Sequence, residues 1–301
     1  PRGSDRPHNP RRKIVKNLPK QSLPPAHDTL HGFHIVWRRA HGRNGLACWL
    51  AIPHQRRADT PALVAIHGIQ RGAEEMARSF AARAAAEGRV VIAPVFDEAG
   101  WTGYQRVVQR RRADLALIAL LDELALEGLV GKRPFTLFGF SGGAQFAHRF
   151  AMLYPHRIDH LIAAAAGWYT LPDRHSVFPY GLGAESGRQA WGPKFGAALD
   201  RFLQLPVSVL VGTLDNLPDE TTRSTPELDR RQGRDRLTRA RTWTRALTQA
   251  ARARGLEARF RLHTLADCGH RFIDCVRDGG LVDHVFAPPV PLDACTTALA
   301  A

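Results

Sequence analysis

The hydrophobic positions of this chain fall into short unbroken runs separated by longer stretches of helical spacing. The first two runs, GFHIVWRR (32–39) and LACWLAIP (46–53), flank a connection punctuated by Gly42 and Gly45, as an antiparallel strand pair does. Beyond them the pattern alternates. ALVAIHG (62–68) and RVVIAPVF (89–96) read as strands on either side of EEMARSFAARAAAEG (74–88), an Ala-rich helix closed by Gly88. RADLALIALLDELALEG (112–128) repeats leucine at three-and-four spacing and predicts an amphipathic helix. The remaining strands are FTLFGF (135–140), DHLIAAAAG (159–167), PVSVLVGTLD (206–215) and ARFRLHTL (258–265), with helices over 143–153 and 234–255. Strands that are apolar throughout are buried on both faces, and the intervening helices supply the cover. The expected fold class is therefore α/β: a mostly parallel twisted sheet flanked by helices, with an antiparallel pair at its start.

One segment breaks the alternation. Residues 168–204 carry Trp168, Tyr169, Phe178, Tyr180, Trp191 and Phe195 among Gly and Pro, with no clear period. Connections this long inside a domain are functional or disordered, and the aromatic content speaks against disorder. The expectation is a short aromatic-rich insert over the strand ends, where open α/β sheets bind ligands. Trp168, Tyr169, Phe178 and Tyr180 are the candidates to line an apolar substrate pocket, though each reads equally well as core.

Composition bounds the rest. At 301 residues and 44% hydrophobic content, the chain fills one large domain or two small ones. Pro1 to Ser4 read as an expression-tag remnant, 5–31 as a basic Pro-rich arm, and 32–301 as one α/β domain holding the insert. No apolar run approaches the roughly 18 residues of a membrane-spanning helix. The compartment stays open between cytoplasm and export, and the sequence does not speak to oligomeric state.

The net charge of +14 raises the question of nucleic acid. Residues 1–20 supply +6 of it, and twelve arginines lie between Arg223 and Arg261. Only five of the 42 basic residues are lysine, and heavy Arg and Ala use fits a GC-rich bacterial genome as well as any ligand. Nucleic acid is not the expected partner. Cys48, Cys268, Cys275 and Cys295 form no C-x-x-C pair, so no metal site is expected. Three of them flank His270, either as a disulfide (Cys275–Cys295 is one pairing) or as free buried thiols.

The chemistry gathers around Gly139-Phe140-Ser141-Gly142-Gly143, a G-x-S-x-G pattern where a predicted strand meets a predicted helix. A serine on such a corner takes a strained backbone, and small residues two before and two after let the turn close. Its hydroxyl then stands above the sheet, where the helix aims its first N–H groups. Serine is a poor nucleophile without a base, so a histidine and an orienting acid are required. His270, in the loop TLADCGHRF past the last strand, is the expected base; His148 and His156 read as surface residues. Asp215 closes the penultimate strand and is the expected acid, ahead of Asp173 and Asp219; Asp267 is too near His270 along the chain. An oxyanion hole needs two amides. Gly142, just after the nucleophile, offers one, and Ile69 in VAIHGIQRG offers the other, with His67 bracing that loop.

The His67-Gly68 turn, the elbow at 139–143, the acid at 215 and the Gly269-His270 loop come in the order of an α/β-hydrolase-fold serine hydrolase, and the chain resembles that superfamily over residues 32–280. YPHRID (154–159) resembles the family's step into its next strand. The resemblance points to the carboxylesterase or polyester-depolymerase branch; the HGGG signature of one lipase and esterase group is absent. It implies ester hydrolysis through an acyl-Ser141 intermediate, no cofactor, and a small-molecule or polymeric ester as substrate. A thioesterase, acyltransferase or peptidase would use the same apparatus. A binding protein that kept the fold without the activity is the reading from a different class.

Overall fold

The computed structural model describes residues 32–42, 44–109, 111–184 and 190–289. The segments expected to be a tag remnant (1–4) and a basic arm (5–31), together with Cys295, lie outside the described residues. Strand β1 (Phe33–Arg38) pairs antiparallel with β2 (Ala47–Pro53), as the Gly42/Gly45 connection predicts. Then follow β3 (Leu63–Ile66), α1 (Ala73–Ala86), β4 (Val91–Val95), α2 (Ala113–Leu126), β5 (Phe135–Phe140) and α3 (Gly142–Leu153). The chain continues through β6 (Ile158–Ala164), α4 (Trp191–Gly196), α5 (Leu199–Phe202), β7 (Val207–Gly212) and α6 (Pro226–Gln232). It closes with α7 (Arg236–Arg252), β8 (Phe260–Leu265), α8 (Phe272–Arg277) and α9 (Leu281–Phe286).

The eight strands form one sheet in the order β1-β2-β4-β3-β5-β6-β7-β8. Only the β1–β2 and β2–β4 pairings are antiparallel; β4 through β8 run parallel. Every residue of β3, β5 and β7 is buried, as continuous apolar runs demand of strands covered on both sides. Alternate residues serve opposite layers. Leu63, Ala65 and Phe138 face α1, α8 and α9 with Met76, Phe80, Leu281 and Phe286. Val64, Ile66 and Leu137 face α2, α3 and α7 with Leu117, Phe146, Phe150 and Trp243. Each fully buried aromatic of this kind stabilises the fold by roughly 1.5–3 kcal/mol.

The strand order reverses around β3: β4 lies on one side of it and β5 on the other. The loops leaving the carboxyl ends of β3 and β5 therefore diverge and open a crevice, the usual ligand position in such sheets.

The insert differs from expectation in where its aromatics point. Short α4 and α5 fold back, and Phe195 and Phe202 are wholly buried in the layer shared with α3 and α7. This roof also corrects the reading of His148, which is wholly buried and not a surface residue. Its Nδ1 donates to Ala144 O at 2.7 Å and its Nε2 accepts from Thr170 N at 3.0 Å, so the ring ties α3 to the insert. Arg149 follows suit. It donates to Thr170 Oγ1 at 2.9 Å and lies 4.0 Å over the Trp168 ring. Short α6, α8 and α9 escape sequence periodicity because each is only six or seven residues long. Cys48, Cys268 and Cys275 are free and buried.

His160 on β6 bonds Ser208 Oγ on β7 at 2.9 Å, and burial pulls its pKa down to about 4; burial also holds His148 well below the ordinary histidine value. Above pH ~6.5 both rings are neutral whether folded or unfolded. As pH falls from there toward 4, the unfolded chain takes up protons that the folded one refuses, so stability drops by on the order of 1 kcal/mol per pH unit for each ring. Urea unfolding midpoints at pH 7 and pH 5 should therefore differ markedly. His160→Gln should flatten that difference, and equal slopes in both proteins would show that His160 does not carry it.

Candidate functional site

Strand β5 turns into α3 at Ser141, whose φ of 55° and ψ of −115° lie in the left-handed half of backbone space that side chains avoid. The flanking glycines are steric necessities. A Cβ on Gly139 would stand 2.2 Å from Gly143 O, and one on Gly143 would stand 2.0 Å from Ile66 O. The corner is held by the Ser141 N–H donating to Ala164 O on β6 at 2.8 Å, and by Gln145 N donating to Ser141 O at 3.1 Å.

The loops after β7 and β8 are stitched to each other. Thr213 N donates to Leu265 O and Leu214 N to Cys268 O, both at 2.9 Å, and Asp267 N donates to Thr213 Oγ1 at 2.9 Å. Gly212 has no room for a side chain, since a Cβ there would meet Cys268 O at 2.0 Å. These bonds put Asp215 and His270 side by side. His270 Nδ1 lies 2.8 Å from Asp215 Oδ2, and His270 Nε2 lies 2.9 Å from Ser141 Oγ. Ionised carboxylates only accept, so Nδ1 carries the proton and Nε2 is free to accept from the serine hydroxyl. Phe140 stacks against the imidazole at 5.4 Å and Phe272 stands edge-on to Phe140, which fixes the ring plane.

The other candidate acids are engaged elsewhere. Asp173 bonds Ser176 Oγ and the His175 N–H inside the insert; Asp219 bonds Arg236, Thr221 and Thr222. Asp215 is almost fully buried, and its Oδ1 accepts from Arg236 at 3.1 Å.

Gly142 is the first residue of α3, where an N–H has no intrahelical acceptor. A Cβ placed on it would lie 2.9 Å from Ile69 Cγ2 and 3.4 Å from Ile69 N, so the loop after β3 lies close against the first turn of α3. His67 braces this loop. Its Nδ1 donates to Gly68 O at 2.7 Å, its Nε2 accepts from Phe96 N at 3.0 Å, and Tyr104 Oη donates to the His67 carbonyl. Burial pulls the His67 pKa down to about 4, which keeps the ring neutral in this role.

Ser141 and His270 open into a cavity of about 110 Å³ walled by Ile69, Gln70, Glu75, Met76, Thr221 and Phe272. A larger hollow of about 540 Å³ near Ala62, Lys132 and Phe135 lies at the opposite, amino-terminal end of the strands. None of the four expected pocket aromatics lines the cavity at Ser141. Tyr169 is fully buried and stacks on Trp243 at 4.5 Å, Phe178 stacks on Phe195 at 4.9 Å, and Trp168 packs against Tyr180 at 5.0 Å. They roof α3 and α7 because that is where apolar surface needs cover. The residues that sequence reasoning missed are Phe140, Phe272, Thr221 and Arg236. The first two adjoin the motif residues and were within reach; nothing marks Arg236 among a dozen neighbouring arginines.

No family model matches the chain, and no curated protein matches it in sequence. Solved structures do. Poly(aspartic acid) hydrolase-1 from Sphingomonas sp. KT-1 is 26% identical, with a TM-score of 0.66, over 80% of this chain and 94% of its own. LpqC, a poly(3-hydroxybutyrate) depolymerase from Bordetella parapertussis, is 24% identical with a TM-score of 0.65, over 80% and 88%. An S-formylglutathione hydrolase from Agrobacterium tumefaciens shares 15% identity with a TM-score of 0.56, over 88% and 98%. With that sheet order and those neighbours, the chain has the α/β-hydrolase fold, and the structures it resembles are serine hydrolases of that fold.

Proposed function

We propose that this protein is a serine hydrolase that cleaves carboxylic esters through an acyl-enzyme on Ser141. The observation that carries the reading is the unbroken line from Ser141 Oγ through His270 to Asp215, with links of 2.9 Å and 2.8 Å, on a strained corner. In this reading Ser141 Oγ attacks the ester carbonyl while His270 Nε2 takes its proton. The imidazolium is stabilised by Asp215 and returns the proton to the departing alcohol. Water then repeats the sequence on the acyl-enzyme and releases the acid. The Gly142 and Ile69 amides receive the negative charge of each tetrahedral intermediate, a contribution of roughly 3–4 kcal/mol per donor in related sites. No metal or organic cofactor enters these steps.

The walls of the cavity favour a short apolar acyl group, with Ile69, Met76 and Phe272 supplying contact and Gln70 and Thr221 the polar edge. A polymeric substrate is the second reading. It is supported by Leu214 and Leu217, which flank Asp215 in sequence and are 58% and 72% exposed. The resemblance to a poly(aspartic acid) hydrolase and a poly(3-hydroxybutyrate) depolymerase points the same way.

Ser141→Ala should lower the hydrolysis of p-nitrophenyl acetate by at least about 10³-fold without changing the thermal unfolding midpoint. Retained activity would remove Ser141 from the reaction. Asp215→Asn should cost about 10⁴-fold in kcat by giving His270 the wrong tautomer. Gly142→Ala should displace Ile69 and lower kcat by roughly 10- to 100-fold with little change in KM; a pure KM effect would count against these two amides as the oxyanion site.

A further inference from the structure

The loop after β7 and the first turn of α7 enclose an ion cluster that the line from Ser141 to Asp215 leaves unused. Arg236, the first residue of α7, is 1% exposed. Its Nη1 donates to Asp215 Oδ1 at 3.1 Å and to Asp219 Oδ2 at 2.8 Å. Its Nη2 donates to Asp219 Oδ1 at 3.0 Å and to Thr221 Oγ1 at 2.6 Å. Asp215 thus gives one oxygen to Arg236 and the other to His270. The Asp215 carbonyl also accepts from Leu237 N at 3.1 Å, so the same helical turn grips the acid by backbone and by side chain. Thr221 in turn is a wall of the cavity at Ser141.

Stability is a poor explanation for this arrangement. A buried guanidinium loses its hydration, and a hydrophobic replacement of similar volume often stabilises a fold at least as well. Here the cost is raised further, because the buried Nε of Arg236 has no hydrogen-bond partner. What the cation achieves is placement.

We propose that Arg236 is a positioning residue for the acid of the triad. It fixes the Asp215 carboxylate with one oxygen toward His270, and by dividing its charge between Asp215 and Asp219 it sets how strongly that carboxylate favours the imidazolium. The proposal rests on the reading of Ser141, His270 and Asp215 as a triad.

The surrounding charges make the effect readable. Asp215 is faced by His270 from the loop after β8, by Arg236 from α7, by Tyr169 from the segment after β6 and by Cys275 from α8. Tyr169 and Cys275 stay neutral at working pH, since burial raises both, the thiol to about 12. Arg236 is faced by Asp219 and Thr221 from the loop after β7. On its own helix Arg239 lies near and is neutralised by Asp229 at 2.8 Å, and Asp235 caps the helix. Two charge changes then act in opposite senses. Removing the cation leaves the Asp215 charge undivided and favours the imidazolium. Neutralising Asp219 turns the whole guanidinium onto Asp215 and disfavours it.

The test compares wild type with Arg236→Gln, Arg236→Lys and Asp219→Asn. Active sites are counted with a fluorophosphonate probe, and kcat/KM for p-nitrophenyl acetate is followed against pH. The acid limb should move up by about half a pH unit or more in Arg236→Gln and down in Asp219→Asn. In Arg236→Gln, kcat per labelled site should fall about 10-fold or more, and Arg236→Lys should recover part of it. Unmoved limbs with only the unfolding midpoint altered overturn the proposal, as do limbs that move the same way. If Arg236→Gln does not fold, Asp219→Asn decides alone, because the Asp219 side chain is 43% exposed and an unmoved limb there overturns the proposal. A wild type that neither labels nor hydrolyses overturns the triad reading and this proposal together; an active wild type with unmoved limbs overturns this proposal alone.

Discussion

The corner between β5 and α3 admits one backbone path, and the carboxyl end of the sheet is arranged around it. Gly139 and Gly143 have backbone atoms 2.0–2.2 Å from where a Cβ would sit, so no other residue fits at either place. That closeness forces Ser141 to a φ of 55° and stands its hydroxyl clear of the sheet. A strain of order 1–3 kcal/mol persists only where the surroundings over-determine it. Here β3, β6 and α3 do so: the Gly143 position presses on Ile66 and His67, and Ser141 is tied to Ala164.

A second constraint is electrostatic. Asp215 is a buried carboxylate, and a buried charge persists only when paired and hydrogen-bonded. His270 and Arg236 share that task, one on each oxygen. The stitching between the loops after β7 and β8 brings the acid and the histidine together before any substrate arrives, and the Phe140 ring fixes the imidazole plane. The proposed chemistry would then proceed with little reorganisation, which is how such sites lower barriers.

Most of the fold is legible in the sequence because its strands are apolar throughout and its long helices are periodic. The strands, the long helices and the antiparallel start lie within a few residues of expectation. Ser141, Asp215 and His270 come together because the pattern placed each just beyond a strand end on one edge of a parallel sheet. The misses have a common cause. His148 reads from the sequence as a surface residue and no pattern marks Arg149, Arg236 or Arg239, yet all four are buried. Their burial depends on partners far along the chain, such as Thr170 for His148 and Asp219 for Arg236. The insert's four aromatics read from the sequence equally well as pocket wall and as core, and the structure packs them away from the cavity at Ser141, a choice that no periodicity of an irregular segment indicates. Thr221 and Glu75 reach the cavity from segments with no motif at all.

The proposed acyl transfer stands on the reactivity of one hydroxyl. Peptide mapping by mass spectrometry after treatment with a fluorophosphonate tests it most directly. A single adduct on the peptide containing Ser141, absent when the protein is first unfolded, is the predicted result. A folded protein that stays unlabelled, or that carries the adduct on another residue, would contradict it.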